Sequence, residues 1–437
     1  MQLTRSHLII IGSVVFVVLL VIGIFTGILP GTRTFQPKAP EVSLTIWGID
    51  DREFLNENLT NYEALRTNVR VKYTELDPAT YEQTVINALA AKSGPDIIMF
   101  HNSWLVKHYD KIVTLNEELL TKKSFQEMFP EVVEQDFLPS DKIYALPLYI
   151  DTLALFYNRD TFDKKGIAIP PKDWLDFQNL IPKLNEKDKY GNLTKLAAAI
   201  GGSEDNIDKA SELLMLLMLQ SGAKMTNEDF SQASFSQNVE GGYPGMDALS
   251  FYTKFSNPKD DIYYTWNEKI NNSLDSFANG NVAMIFNYAS VADKIKSKNP
   301  FLIFKASEMP QPTGGSKSVN YPDYWGLSVT NNSKNPDWAW DLILYLTANE
   351  TAAEKYLLAS NKPPAMRLLI QKYLNHPTLG VFAKQALSAR SWPQVDKNKT
   401  AAIFSQMIKA VVSGQLSQRD ALSQAEREVT ELMTLRK

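Results

Sequence analysis

The chain of 437 residues contains no cysteine. That excludes disulfides, thiolate metal sites, a cysteine nucleophile and a lipid-bearing N-terminal cysteine. Histidine is almost as scarce: His7, His101, His108 and His376 are the whole supply. A histidine-rich metal centre is therefore impossible, and His101 with His108 has no obvious third ligand at metal-site spacing. The sequence also lacks a strong excess of charge. A net charge of −4 offers no electrostatic basis for a nucleic-acid partner. No internal repeat and no low-complexity segment is present.

What is present is length and apolar content. With 44% hydrophobic and 11% aromatic residues, 437 residues exceed one small core and predict two lobes. Ahead of them, Leu8 to Leu29 is an almost unbroken apolar run of 22 residues. As a helix it would be about 33 Å long, enough to cross a bilayer core. No small-x-small cleavage site follows it, so residues 1–30 read as an uncleaved signal anchor or transmembrane helix. Arg5 lies on one side and Arg33 and Lys38 on the other, so charge counting barely orients the anchor. The expected location is the cell membrane, single-pass, with the C-terminal body extracellular or periplasmic. A proline-rich linker over 31–41 would lift the body off the membrane.

The body begins with a strand at Val42 to Gly48 and an alternating strand at Val69 to Leu76. Asp77-Pro78 opens a helix whose Tyr81, Val85 and Leu89 share one face. Asp96 to Phe100 is the next strand, which completes a βαβαβ unit with a parallel sheet. In such sheets the ligand crevice lies beyond the carboxyl ends of the strands. Two of those ends carry Trp47-Gly48 and His101-Asn102-Ser103-Trp104. Further on, Ala210 to Leu219 is an apolar helix, Val282 to Phe286 a buried strand and Tyr324 to Thr330 another.

Tyr144 to Asn158, Y-A-L-P-L-Y-I-D-T-L-A-L-F-Y-N, organises the rest. It is apolar and aromatic, yet Asp151 and Thr152 interrupt it with polar side chains. A strand that leaves one lobe and enters another would look like this, with the polar point at the floor of a cleft. An edge strand with one solvated face is the alternative reading.

Several motifs in order carry a resemblance to a known family. They are L-T-I-W-G at Leu44, G-P-D-I-I at Gly94, and Y-A-L-P-L-Y-I-D-T-L-A-L-F-Y-N-R-D at Tyr144. F-A-N-G-N-V-A-M-I-F-N at Phe277, Y-W-G-L-S-V-T-N-N-S-K-N-P-D-W-A-W at Tyr324 and V-V-S-G-Q-L-S-Q-R-D-A-L at Val411 follow. Over nearly the whole soluble part the chain resembles extracellular solute-binding proteins of the sugar-type ABC transporter class, the family of maltose-binding protein. The resemblance implies a two-lobed α/β fold with hinge strands, no catalytic residues and no cofactor. It also implies delivery of a captured small-molecule solute to an ABC permease by a monomer. The expected division is lobe 1 over 42–150, lobe 2 over 151–320, a return to lobe 1 over 321–361 and lobe 2 closing helices over 362–437. The missing cysteine departs from the family's usual lipid tether, which the apolar run would replace.

A mono- or oligosaccharide offers apolar C–H faces and a ring of hydroxyls, so its site needs aromatic platforms and hydrogen-bonding amides and carboxylates. The predicted cleft edges supply Trp47, Trp104, Tyr149, Tyr288, Tyr324 and Trp325 as platforms. Asp50, Asp51, Asn102, Ser103, Asp151 and Asn287 supply hydrogen bonds. Arg367 lies where the resemblance implies a residue near the cleft. Each has a structural alternative: Trp47 as lobe packing, and Asp50 or Asp51 as partners of a helix dipole. Two other functions compete. A sensor subunit would need the same closing cleft, and a glycoside hydrolase would need opposed carboxylates, for which Asp51 and Asp151 are the only pair available.

Overall fold

The computed structural model describes residues 5–25, 40–315 and 317–434. The expected linker therefore lies largely outside the described residues. Arg5–Phe25 is one helix, and its described side chains, residues 12–23, include exposed Val14, Phe16 and Leu19. Among the described residues no helix is long and apolar enough to cross a membrane.

The strands appear in chain order as two sheets joined by a short ladder. The first lobe holds β1 (Val42–Gly48), β2 (Val69–Glu75), β3 (Ile97–His101), β4 (Ile112–Val113) and β5 (Leu146–Pro147). Next comes β6 (Asp151–Thr152), a two-residue strand between the lobes. The second lobe holds β7 (Ala154–Asn158), β8 (Glu186–Lys187), β9 (Leu193–Ala198), β10 (Val282–Asn287) and β11 (Phe304–Ser307). Two more strands lead back: β12 (Pro322–Asp323) and β13 (Trp325–Thr330).

The first sheet has the order β2-β1-β3-β13-β4, with β5 also on β13. β1 pairs in parallel with β2 and β3, as the βαβαβ pattern requires. Val42, Leu44 and Ile46 alternate into the core, and β3 is buried throughout because it is central. β13 enters antiparallel beside β3. Gly326 lets it do so: a Cβ there would stand 2.5 Å from the Leu146 carbonyl oxygen. The close approach at this glycine is thus to backbone, not to a ligand. The second sheet runs β11-β7-β10-β9-β8.

Two hydrophobic clusters follow the sheets. One gathers Val42 to Ile150 with Tyr324 to Ala389, Phe382 excepted; the other gathers Leu153 to Met309 with Tyr321, Phe382 and Trp392 to Met433. The chain thus changes cluster at β6, at β12 and again between Ala389 and Trp392. One expectation needs correction here. Within 362–389, Met366, Leu369, Ile370 and Tyr373 pack into the first cluster, and Phe382 alone of the buried residues joins the second, beside Phe156. Their apolar faces are taken up by the helix Glu350–Ser360 and by Phe129's neighbourhood, where Arg367 Nε donates to the Phe129 carbonyl at 2.9 Å. The helices Lys397–Val412 and Gln418–Thr434 pack along the second cluster.

Between the lobes, β6 and β12 form their own antiparallel ladder, with Asp151 opposite Asp323 and Thr152 opposite Pro322. Gln385 Nε2 braces it, donating to Thr152 Oγ1 and the Leu153 carbonyl. This ladder joins the two lobes.

Candidate functional site

A cleft of about 610 Å³ opens over the ladder between the lobes. Its first-lobe wall comes from the start of the helix Tyr81–Ala90, from the end of β3 and from β13. Tyr81 and Trp104 stack at 5.7 Å, and Trp325 stands edge-on to Trp104 at 5.1 Å and to His101 at 4.9 Å. Such tilted contacts suit the ring quadrupoles and hold the wall rigid. Tyr81 is fully buried and Trp104 nearly so, while Trp325 is the half-exposed member. Trp325 is the least buried of the three, and the other two pack behind it.

The second-lobe wall has a different chemistry. It carries Lys209, just before the helix Ala210–Gln220, and Val395 to Lys399 at the start of the helix Lys397–Val412. Asp396 caps that helix, accepting from the Lys399 N–H at 3.1 Å. Lys397 and Lys399 then sit in a first turn that has no acid. A helix dipole disfavours cations there, so partners must compensate.

They do, through a chain of charges that crosses the ladder. Lys397 Nζ lies 2.6 Å from Asp323 Oδ1 and 3.1 Å from Glu212 Oε1. Glu212 Oε2 reaches Lys209 at 3.3 Å, and His101 Nε2 reaches Asp323 Oδ1 at 2.6 Å. Burial alone would raise Asp323, but Lys397 and the His101 hydrogen bond hold its carboxyl well below the usual range. Burial and then Lys397 lower His101, which is therefore the neutral imidazole. Its Nδ1 accepts from the Ser103 N–H at 3.2 Å, so Nε2–H is the donor to Asp323. At the mouth, Lys107 lies 2.8 Å from Glu82 and reaches across to Asp396 at 3.4 Å. The hydrogen bond from His108, helped by Lys107, lowers Glu82 to about 2.

Of the residues nominated from sequence, three line this cleft: Ser103, Trp104 and Trp325. Trp47 packs half-buried against the first core, and its carbonyl accepts from Tyr81 Oη. Asp51 is exposed and accepts from the Glu53 N–H at 2.9 Å, fastening the helix Glu53–Leu65. Asp50 is buried in an ion pair with Lys362 at 2.5 Å, and Lys362 in turn lies 4.2 Å over the ring of Tyr149. Asn102 and Tyr324 both donate to Asp136 Oδ2, at 3.1 and 2.8 Å, inside the first lobe. Asp151 accepts from the Thr152, Ala289 and Ser290 N–H groups, tying the ladder to the turn after β10. Asn287 Oδ1 accepts from the Tyr288 N–H in that same turn, and Tyr288 is buried beside Lys209. Arg367 serves the first lobe, as above.

Tyr81, His101, Lys107, Lys209, Asp323 and Lys397 line the cleft but were not among the nominated residues. One signal for them existed: D-K-N-K at Asp396 opens a helix with two lysines where a dipole disfavours them. The described residues contain no group of three or more His, Asp or Glu side chains placed to hold a metal.

Two α/β lobes, a short two-stranded ladder between them and a cleft walled by aromatics on one side and paired charges on the other define a two-lobed protein with an interlobe cleft. The chain belongs to the bacterial extracellular solute-binding proteins, whose family pattern it matches over residues 48–353. It is 22% identical over 368 residues to the galactooligosaccharide-binding protein of Bacillus subtilis, covering 82% of each chain. Among solved structures, the sugar-binding protein MalE of Xanthomonas citri superposes with a TM-score of 0.75 at 18% identity, covering 90% of this chain and 98% of that one. An ABC transporter solute-binding protein of Thermotoga lettingae, bound with α-D-tagatose, gives 0.69 at 20% identity, covering 90% and 100%.

Proposed function

We propose that this protein captures a saccharide in the cleft over the hinge and hands it to an ABC importer in the membrane. The observation that carries the reading is the pairing of the Trp325 platform with ionised, already compensated polar groups on the facing wall. An apolar ring face and a fringe of hydroxyls would match both walls at once. The named relatives act on sugars, which agrees with this chemistry. The binding residues on this reading are Trp325, Ser103 and Trp104, with Tyr81, His101, Asp323, Lys209 and Lys397 added. Closure brings the two walls onto the solute, and the closed state gains contacts that the open state lacks.

The tether is part of the same proposal. The apolar run of 22 residues from Leu8 is long enough to cross a bilayer. It would hold the body at the outer surface of the cell membrane, beside its permease. Membrane fractionation with N-terminal sequencing tests this: a soluble protein lacking the run would overturn the tether and leave the binding function standing.

The function itself is tested by thermal shift of residues 40–437 against galactooligosaccharides, maltooligosaccharides, monosaccharides, polyols and peptides. A ligand of the folded state raises the melting temperature by mass action. A shift with a saccharide is expected; shifts with peptides alone would overturn the carbohydrate reading. A sensor subunit would give the same shift, and it is separated by identifying the membrane protein that co-purifies.

A further inference from the structure

Asp323 was not among the site residues nominated from sequence, yet it lies in the ladder between the lobes and lines the cleft. Its Oδ1 is saturated, receiving His101 Nε2–H and Lys397 Nζ, each at 2.6 Å. Its Oδ2 has no hydrogen-bond partner among the described residues, and it is not enclosed: the side chain is 24% exposed and lines the cleft. The residue stays in its charged form, because Lys397 and His101 outweigh the effect of burial. An ionised carboxylate with one oxygen committed and the other open is a strong acceptor waiting for a donor.

The neighbouring residues say what the donor belongs to. Along Asp323-Tyr324-Trp325 the side chains alternate: Tyr324 is fully buried in the first lobe, while Asp323 and Trp325 both face the cleft. A free carboxylate oxygen therefore stands beside an indole platform. His101 holds both, donating to Asp323 and standing edge-on to Trp325. We propose that Asp323, through Oδ2, accepts a hydrogen bond from one hydroxyl of a solute lying on Trp325, and so decides which saccharides the cleft admits. This rests on the saccharide reading above and adds to it a single residue and a single hydroxyl. A donor-bearing, uncharged solute suits the position; a solute presenting its own carboxylate there would meet like charge.

The test is isothermal titration calorimetry of the wild-type protein and Asp323→Asn. The probe is the galacto- or maltooligosaccharide that shifts the wild-type melting temperature, together with its monodeoxy analogues. In the wild type, one deoxy position should weaken binding about ten- to a hundredfold, the size of a hydrogen bond to a charged group. Asp323→Asn should weaken the parent sugar by a similar factor and then be nearly indifferent to that same deoxy position. A merely structural role for Asp323 would lower affinity for the parent and every analogue alike. Where the Asn variant fails to fold, Asp323→Glu keeps the charge for Lys397 and His101 but moves the free oxygen, and the same comparison applies. Parent affinity unchanged in the variant, or a deoxy penalty that persists in full, overturns the proposal. Tighter wild-type binding of the matching uronate would overturn it too. Failure of the wild type to bind any saccharide is a different result: it removes the saccharide reading itself, and this inference with it.

Discussion

Asp151 and Asp323 face each other across the ladder between the lobes, and their surroundings drive their carboxyl groups in opposite directions. Burial, reinforced by the charge of Asp323, pushes Asp151 up to about 7, against backbone N–H donors that pull it down. Asp323 lies in the same ladder but has Lys397 and His101, and stays well below the usual range. Two like charges side by side are avoided by giving the cations to one of them.

The first prediction is a pH dependence of stability. Asp151 titrates near 7 in the folded protein and near 4 in the unfolded chain. The folded state therefore holds this proton more tightly, and stability falls as pH rises from about 4 to about 7. Asp151→Asn removes that loss while keeping an oxygen for the Thr152 and Ala289 N–H groups. Its melting temperature relative to wild type should rise between pH 5 and pH 8, by about 2–4 °C for each kcal/mol recovered. A difference that stays flat across that range would show that Asp151 does not titrate there.

A second prediction separates two lysines of one helix turn. Lys397 neutralises Asp323 and Glu212 together, whereas Lys399 is 3.9 Å from Asp396 and mostly exposed. Lys397→Met leaves Asp323 with the His101 hydrogen bond alone and Glu212 with Lys209 alone, and should cost on the order of 1–3 kcal/mol of stability. Lys399→Met should be close to neutral. Urea titrations of both variants decide it; equal midpoints would mean that the charge chain across the ladder is not structural.

Much of the scaffold was legible in the sequence, because its signals are local. Period-two alternation marked β2, and the spacing of Tyr81, Val85 and Leu89 marked the helix that all three residues bury. The polar interruption at Asp151-Thr152 marked the short strand between the lobes. The site was less legible, because its contacts are remote: His101 and Asp323 are 222 residues apart, and Lys397 and Asp323 are 74 apart. Tyr324 and Trp325 show the local limit. Adjacent strand residues point to opposite sides, so both could not face the cleft, and nothing in Y-W says which one does.

The two nominated tryptophans that line the cleft should therefore behave differently. Trp325 is the half-exposed platform, and Trp325→Ala should weaken saccharide binding by about 1–3 kcal/mol with a modest effect on folding. Trp104 is 9% exposed and packs against Tyr81, Phe100, His108 and Trp325. Trp104→Ala should cost about 3–5 kcal/mol of stability through the cavity it leaves. Calorimetry and thermal melts on both variants check the split; the reverse pattern would exchange their roles.

Asp51 should be a binding residue in neither assay. Its carboxylate accepts from the Glu53 N–H at the start of the helix Glu53–Leu65 and is exposed, away from the cleft. Asp51→Ala should lower stability by about 0.5–1 kcal/mol, the size of a lost helix-start hydrogen bond, and leave saccharide affinity unchanged. An affinity loss without a stability loss would restore Asp51 to the site. It would also revive the pairing of Asp51 with Asp151 that a hydrolase would need, so this variant tests the competing reading as well.

The last prediction concerns the mouth of the cleft. Lys107 belongs to the first lobe and Asp396 to the second, and they meet at 3.4 Å. A pair that spans the two walls favours their approach, and on the proposed function closure accompanies binding. Both groups are partly solvated, so the contribution is small, about 0–1 kcal/mol, and salt screens it. Lys107→Gln keeps the length of the side chain and removes the charge. Wild-type saccharide affinity should fall by up to about fivefold between roughly 0.01 and 0.5 M salt, the factor that 1 kcal/mol corresponds to. The variant should start at the lower affinity and show little further loss. Asp396 is unsuitable for the same experiment because it also caps its helix, and a change there would mix helix stability with closure. If wild type and Lys107→Gln lose affinity in parallel as salt rises, the screened charges lie elsewhere and the lobes are held together by the solute alone.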